Sequence, residues 1–599
     1  MGRTVVIGAG PAGLTAAFEL AKLGREGIVL EQDHTVGGLA RTVDYKGYRF
    51  DIGGHRFFTK VPLVQSIWQE ILGDALIERP RLSRILYDGK FFEYPLKPTN
   101  ALLGLGPIES IRIASSYAAA QFFPIIPEDS LEHWVVNRFG RRLFQIFFKS
   151  YTEKVWGVSC REISADWAAQ RIKNLDLREA VKNALLGGAG KGGELITTLI
   201  ERFHYPRLGP GMMWERCRDL AAVGGVRTET DARVVRARHR EGRLLDVTVR
   251  DHSGRESVVE GEHFISSMPI PDLMNALEPE APAAVRAAAG RLRFRDFLTI
   301  VLVVNRPDVF PDNWVYVHSP EVLLGRIQNF KNWSPEMVPD PGTTSLGLEY
   351  FVHEGDEVWS APDEDLLELG QRECASLGLV DASEVIDGTV IRMPKAYPVY
   401  DRAYRSSLAV AREYLSGFRN LQLVGRNGQH RYNNQDHSML TAVYAVRNLE
   451  GAQHDVFDVN AEGEYIEGEA ASGNASSGPA ASGTDAMLRT LFARFDPVAL
   501  GGALALLAGG ALFVATAVLL LRGGRSVGPT LGLLSNYLVG FSMSWLGAVV
   551  GGLEAGAVGF GLGYLMASAI NVLVRIEESA LRRRLELERA MDPFAGGEG

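Results

Sequence analysis

The stretch Thr4-Val5-Val6-Ile7-Gly8-Ala9-Gly10-Pro11-Ala12-Gly13-Leu14 decides the fold. Val5 to Ile7 is an apolar run suited to a buried parallel strand. The helical pattern Leu14 to Leu23 follows the glycines. Gly8 permits the tight turn, Gly10 lets backbone approach a pyrophosphate, and Gly13 lets helix and strand pack closely. Pro11 and Ala12 complete the turn, and the helix start offers unpaired N–H groups to phosphate. A second strand, Ile28-Val29-Leu30, ends in Glu31, where a carboxylate accepts hydrogen bonds from ribose hydroxyls. A glycine triplet alone is weak evidence. Between a strand and a helix, with Glu31 in place, it indicates a dinucleotide site.

Working outward, the chain has 599 residues and a formal net charge of -9. That length exceeds a single core and implies more than one domain. The mild acidity and the absence of a zinc-finger pattern exclude a typical nucleic-acid binder. Cys160, Cys217 and Cys374 lie far apart, which suggests reduced thiols and neither a metal site nor a disulfide framework. No signal peptide is read at the N-terminus, so the catalytic part is expected to face the cytoplasm.

Residues 1–460 read as a catalytic region, with Rossmann parts at about 1–90, 205–270 and 415–455. Residues 461–486 are rich in Gly, Ser, Ala and Glu and read as a flexible linker. Residues 487–599 read as a membrane anchor of two or three helices with a charged tail. Val498–Leu521 carries no charge and is long enough to cross a bilayer. Thr530–Leu553 and Ala555–Val574 are expected as a tight hairpin with Glu554 at its tip. Gly551, Gly552, Gly556, Gly559, Gly561 and Gly563 would let helices approach closely. Three spans put the tail outside a cell whose enzyme part is inside, whereas Arg582, Arg583 and Arg584 favour the cytoplasmic side.

The segment Gly37-Gly38-Leu39-Ala40-Arg41-Thr42 then resembles the flavoprotein class of amine oxidases, protoporphyrinogen oxidases, phytoene desaturases and UDP-galactopyranose mutases. The resemblance implies FAD, with Gly38, Leu39 and Arg41 near its phosphates; a guanidinium suits phosphate oxygens. It also implies that Arg426 and the stretch Tyr432-Asn433-Asn434-Gln435-Asp436-His437-Ser438-Met439 close the flavin site. Asp436 or Ser438 is expected to cap the helix that follows, Leu440–Leu449.

Within that class the chain is most similar to the mutase branch. Gly53-Gly54-His55 resembles the segment that sets a histidine beside the isoalloxazine, which implicates Gly54 and His55. Tyr151-Thr152-Glu153-Lys154-Val155-Trp156-Gly157 resembles a mutase string whose Tyr and Trp line a nucleotide-sugar site. By the same resemblance Arg171 and Arg295 hold a substrate diphosphate, with Arg291 and Arg293 competing for the second position. Tyr397 and Tyr432 correspond to tyrosines that bond the phosphates. The stretch Gly325–Pro335 departs from the branch.

The fold expected is an α/β Rossmann-type FAD-binding domain with an inserted mixed α+β substrate domain and a C-terminal helical membrane segment. The activity implied is a flavin-assisted rearrangement of a nucleotide- or lipid-linked sugar diphosphate in cell-surface polysaccharide synthesis, with NAD(P)H as a possible reductant. The alternative is a membrane-associated FAD-dependent oxidoreductase of an isoprenoid, lipid or porphyrin.

Overall fold

The computed structural model describes residues 2–96, 98–163, 165, 201–401, 403–459, 496–523 and 529–591. The chain divides into two compact units, Met1–Ala470 and Ala471–Gly599.

In the first unit the opening strand Thr4–Ile7 is wholly buried, and the helix Pro11–Lys22 follows at once. The helix begins three residues before the apolar pattern because proline is pre-set for a first helical position. Five parallel strands form the central sheet, in the order Leu421–Leu423, His263–Ser266, Thr4–Ile7, Gly27–Leu30 and Val226–Glu229. Strands from distant parts of the sequence thus meet in one doubly wound layer. Its helical cover includes Pro11–Lys22 and Gln435–Leu449, which share a core with Trp68 and Trp214.

A seven-stranded sheet forms the second layer, built on the long buried strand Phe294–Val304. This strand pairs antiparallel with Thr344–Val352 on one side and Val385–Pro398 on the other. Helices Pro98–Leu105, Pro107–Phe122, Leu131–Phe139 and Ser150–Trp156 make a third layer around Trp134, Phe147 and Trp156. The mixed α/β flavoprotein fold expected from the sequence is what the chain adopts.

A buried brace fixes the loop that leads to His55. Strand Tyr48–Asp51 pairs with Thr42–Tyr45, and Asp51 is fully buried. Its carboxyl accepts from Tyr205 Oη at 2.5 Å and from Thr42 Oγ1 at 3.2 Å. Burial outweighs both bonds and pushes the Asp51 carboxyl up to about 8.

In the second unit, Asp496 caps helix Pro497–Arg522 by accepting from Val498 N at 2.9 Å and Ala499 N at 3.2 Å. The hairpin expected at Glu554 does not form. Helix Trp545–Met591 runs unbroken through it for 47 residues, and Glu554 accepts from Gly540 N at 3.1 Å. A lone glutamate is a good helix former and no Gly-Pro pair interrupts the run. The break falls earlier, in the short turns Pro529–Gly532 and Leu533–Asn536. Two helices are long and apolar enough to cross a membrane, Pro497–Arg522 at mean hydropathy 2.5 and Trp545–Val572 at 1.4. Gly509 backs onto Gly552 and Gly556, whereas Gly551 faces Phe541 and Gly561 faces open space. The linker expected at 461–486 lies outside the described residues.

Two outcomes follow from this packing. A methyl group at Gly13 would run into the Gly8 carbonyl, so Gly13→Ala should cost about 1–3 kcal/mol. Thermal denaturation and the flavin content of purified protein would both fall. The Asp51 carboxyl is raised in the folded chain, so its contribution is present at low pH and is lost as pH rises towards 8. Asp51→Asn should flatten that decline, seen as a denaturation midpoint that changes less between pH 5 and 8 than in the parent.

Candidate functional site

The glycine turn presents backbone in place of side chains. Gly8 has φ +96°, and the N-cap residue Gly10 makes no side-chain capping bond. Gly38 lies against Gly10, so the Gly37–Gly38 turn and the first turn of the helix approach backbone to backbone. Gly37 N donates to Ala9 O at 2.8 Å. The Glu31 carboxylate accepts from Ala9 N at 2.6 Å and Asp33 N at 3.0 Å, and burial raises its pKa. Arg41 does not stand free over this turn: its guanidinium pairs with Asp33 and reaches Thr35 Oγ1 at 3.5 Å. Leu39 packs beside Ile52 and Phe297.

The closing segment meets the turn from the other end of the unit. Gly425 sits against Ala12, and its N–H donates to Thr441 Oγ1 at 3.0 Å. Helix Gln435–Leu449 begins five residues earlier than expected, and its cap is Asn434 in a capping box with His437, not Asp436 or Ser438. Asn434 turns the chain, which places Asp436 inside the first turn. Ser438 Oγ instead donates to Asn433 Oδ1 at 2.9 Å. Met439 is fully buried and its sulfur accepts from Trp68 Nε1 at 3.1 Å, so its side chain belongs to the core.

Asp436 is buried with no hydrogen-bond partner for either carboxylate oxygen among the described residues. His437 Nδ1 lies 3.3 Å from it but accepts from Asn434 N, and burial lowers the His437 pKa. The neutral ring therefore offers Asp436 no proton there. A buried acceptor lacking a donor, uncapped helical N–H groups and a side-chain-free glycine contact fit a hydroxylated, phosphate-bearing cofactor.

A second constellation stands around His55. Gly54 is exposed and His55 is half-buried. His55 Nε2 is 2.9 Å from Ile52 O. A carbonyl only accepts, so Nε2 carries the proton and Nδ1 a lone pair. Burial and the Arg426 and Arg326 guanidiniums push the ring down to about 3, so it is neutral. Arg426 donates to Asn433 O at 2.8 Å and Ala396 O at 3.0 Å, and among the described residues no carboxylate pairs with it. Its guanidinium lies 5.3 Å from the Tyr397 ring and 4.8 Å from the Tyr432 ring. These two rings are 5.9 Å apart and inclined by 14°.

The string Tyr151–Trp156 comes to the same place. Tyr151 stacks on His318 at 4.8 Å and 7°, and couples electrostatically to Arg326 and Tyr397. Trp156 stacks on Tyr400 at 6.3 Å, and Tyr400 Oη accepts from Tyr432 N. Lys154 clamps the loop between strands Trp314–Val317 and Arg326–Asn329 by donating to Ser319 O at 2.7 Å and Leu324 O at 3.0 Å. Arg295 pairs in register with Tyr397 across two antiparallel strands. Its guanidinium is buried against Gly157, however, and donates to Phe351 O and to Lys154 O at 3.3 Å. Arg171 lies outside the described residues.

Sequence reasoning missed Arg326, Gln328 and Glu349, which back the Gly53–Gly54 turn. Arg326 is paired with Glu349 directly across the sheet, and Gln328 Nε2 donates to Glu349 Oε1 at 2.8 Å. The Arg-Ile-Gln alternation signalled a shared face, but nothing in the sequence places Glu349 opposite it. No cluster of metal-ligating side chains occurs among the described residues.

The comparisons fit this geometry. The family model of flavin containing amine oxidoreductase matches residues 11–426. A crystal structure of reduced UDP-galactopyranose mutase superposes with TM-score 0.66 at 23% identity, covering 77% of this chain and 98% of that chain. An inactive all-trans-retinol 13,14-reductase of Danio rerio is 55% identical over 49 residues, 8% of each chain. A 1-hydroxycarotenoid 3,4-desaturase of Flavobacterium sp. (strain P99-3) is 33% identical over 100 residues, 16% of this chain and 20% of its own. The chain thus spans only a small part of the curated relatives it matches. The glycine turn, the closing segment and the family match together place this chain in the flavin-containing amine oxidoreductase family, as an FAD-dependent enzyme.

Proposed function

We propose that the enzyme acts on a nucleotide- or lipid-linked sugar diphosphate by a mutase-like rearrangement, in the synthesis of surface polysaccharide. One observation carries this reading: Arg426 lies beside the stacked Tyr397 and Tyr432 rings and near neutral His55, with no carboxylate pairing it among the described residues. An anion with hydroxyl-accepting oxygens complements that wall. Tyr151, Trp156, Tyr397 and Tyr432 would bind the substrate, and aromatic faces suit a base or sugar. Arg171 would add charge toward the diphosphate, and Arg295, held by the Phe351 and Lys154 carbonyls, would back the strand that carries Tyr397.

FAD would be held by Gly8, Gly10, Pro11, Ala12, Gly13, Glu31, Gly38, Leu39, Arg41, Gly54 and His55, with Arg426, Asp436, Ser438 and the Met439 backbone closing the site. Bound and reduced, FAD supplies an electron-rich centre for covalent catalysis without net oxidation. His55, with its proton fixed on Nε2 by Ile52 O, presents Nδ1 as an acceptor and stays uncharged through the physiological range. The helices Pro497–Arg522 and Trp545–Val572 would cross a membrane, with the catalytic unit on the cytoplasmic side.

A second reading is favoured by those same helices. It is an oxidoreductase of an isoprenoid, lipid or porphyrin, since apolar substrates reside in bilayers. The local match to a 1-hydroxycarotenoid 3,4-desaturase supports it.

Titration with UDP separates the two. The flavin spectrum of the dithionite-reduced enzyme should change on adding UDP, and the oxidised enzyme should not turn over steadily with oxygen or a quinone. Steady oxidative turnover with no response at millimolar UDP would sink the mutase reading. Tyr397→Phe and Tyr432→Phe should each weaken UDP binding by about tenfold, the worth of one hydrogen bond near 1.4 kcal/mol. Isothermal titration of the reduced enzyme checks this.

A further inference from the structure

We propose that the catalytic unit itself docks on a lipid surface through the helical hairpin Pro98–Leu105 and Pro107–Phe122 with the turn that follows it. Helix Pro98–Leu105 carries no charge, and Pro107–Phe122 carries only Glu109 and Arg112. The inner side of the hairpin is already spent on packing. Ile113 is buried in the core that also holds Trp134 and Trp156, and Ala120 is buried too.

The outer side is apolar as well. Ile108, Ile111 and Phe122 fall on one helical stripe, since eleven residues make about three turns. Leu103, Phe123 and Ile126 flank it at 84%, 81% and 84% exposure. Single exposed apolar residues need no explanation, but a contiguous set does. The charges around it are largely neutralised in pairs. Arg142 and Arg112 both pair with Glu109. Arg138 and Arg141, on the helices packed against the hairpin, pair with Glu128 and Glu132. An apolar stripe whose neighbouring charges are paired suits the interfacial layer of a bilayer.

A bilayer is the occupant that the chain itself supplies, since two of its helices have membrane length. To that extent the inference rests on the membrane reading above. It goes further in giving the catalytic unit its own lipid contact. The core beneath the hairpin includes Trp156. Docking therefore brings the layer bearing Tyr151 and Trp156 to the surface where a lipid-linked substrate resides.

The test uses the full chain in vesicles of phosphatidylcholine and phosphatidylglycerol. Cys160, Cys217 and Cys374 are buried, so a fluorophore can be placed on single exposed thiols. Phe123→Cys and Ile126→Cys probe the hairpin, Leu507→Cys the first apolar helix, and Val223→Cys a different exposed face of the catalytic unit. Nitroxide lipids should quench the hairpin and Leu507→Cys labels several-fold more than the Val223→Cys label. Aqueous iodide should show the reverse order. Should the Leu507→Cys label be quenched by lipid while both hairpin labels answer only to iodide, docking is overturned and the anchor stands. Hairpin labels shielded from iodide yet unquenched by lipid would mean a protein surface covers them, which also overturns the proposal. Lipid quenching of the hairpin labels without that of Leu507→Cys would sustain docking and remove the anchor.

Discussion

Two remote segments of the catalytic unit, at Gly38 and Gly425, converge on the first turn of the helix Pro11–Lys22, and glycines let them come close. Gly13 sits over the Gly8 carbonyl, Gly38 over Gly10, and Gly425 over Ala12. Ala9 links the neighbouring pieces by donating to Glu31 and accepting from Gly37. Side chains at these crossings would hold the segments apart, so the glycines set the distance. The consequence reaches well beyond the nucleotide turn. Arg426 is the residue after Gly425, and its placement is therefore fixed by the closure of the central sheet. His55 is positioned from the opposite direction, by a loop braced at Asp51 and Tyr205.

What the sequence revealed follows this division between local and remote causes. The glycine turn, Glu31 and the aromatic string at Tyr151–Trp156 are local patterns, and local patterns survive in a linear text. Resemblance assigned Tyr397 and Tyr432 to substrate phosphates and Arg426 to the flavin site, and the fold brings these three side chains together. Arg295 shows the limit. Its strand position opposite Tyr397 is right for a shared site, yet its guanidinium turns to the carbonyls of Lys154 and Phe351. Side-chain direction depends on what else is buried nearby, and no periodicity encodes that. Arg326 and Glu349 were invisible for a related reason. They face each other only because two strands pair in one register out of several. Glu554 failed in another way: a single acid between apolar runs was weighed as a turn, although helix propensity and the Gly540 N–H both favour continuity.

The two half-buried guanidiniums near His55 are handled differently, and the difference matters for chemistry. Arg326 faces Glu349, so that pair is nearly neutral and acts as a rigid support for the Gly53–Gly54 turn. Among the described residues Arg426 has only carbonyl dipoles, which satisfy its N–H groups without cancelling its charge. Burial first, and then the positive field that remains, keep His55 uncharged, and that field favours negative charge arriving in the same space.

That field bears on the choice between substrates. A reduced flavin carries negative charge in either chemistry, so stabilising it does not distinguish a rearrangement from an oxidation. The outer wall does. Tyr397 and Tyr432 lie over Arg426, and a hydrocarbon laid against them would strip water from a cation that has no carboxylate to turn to. Desolvating an unpaired charge costs several kcal/mol. A diphosphate placed there compensates the charge and leaves the rings free to meet its sugar or base. The cost of burying that guanidinium without a partner is the reason the sugar diphosphate is the occupant we propose.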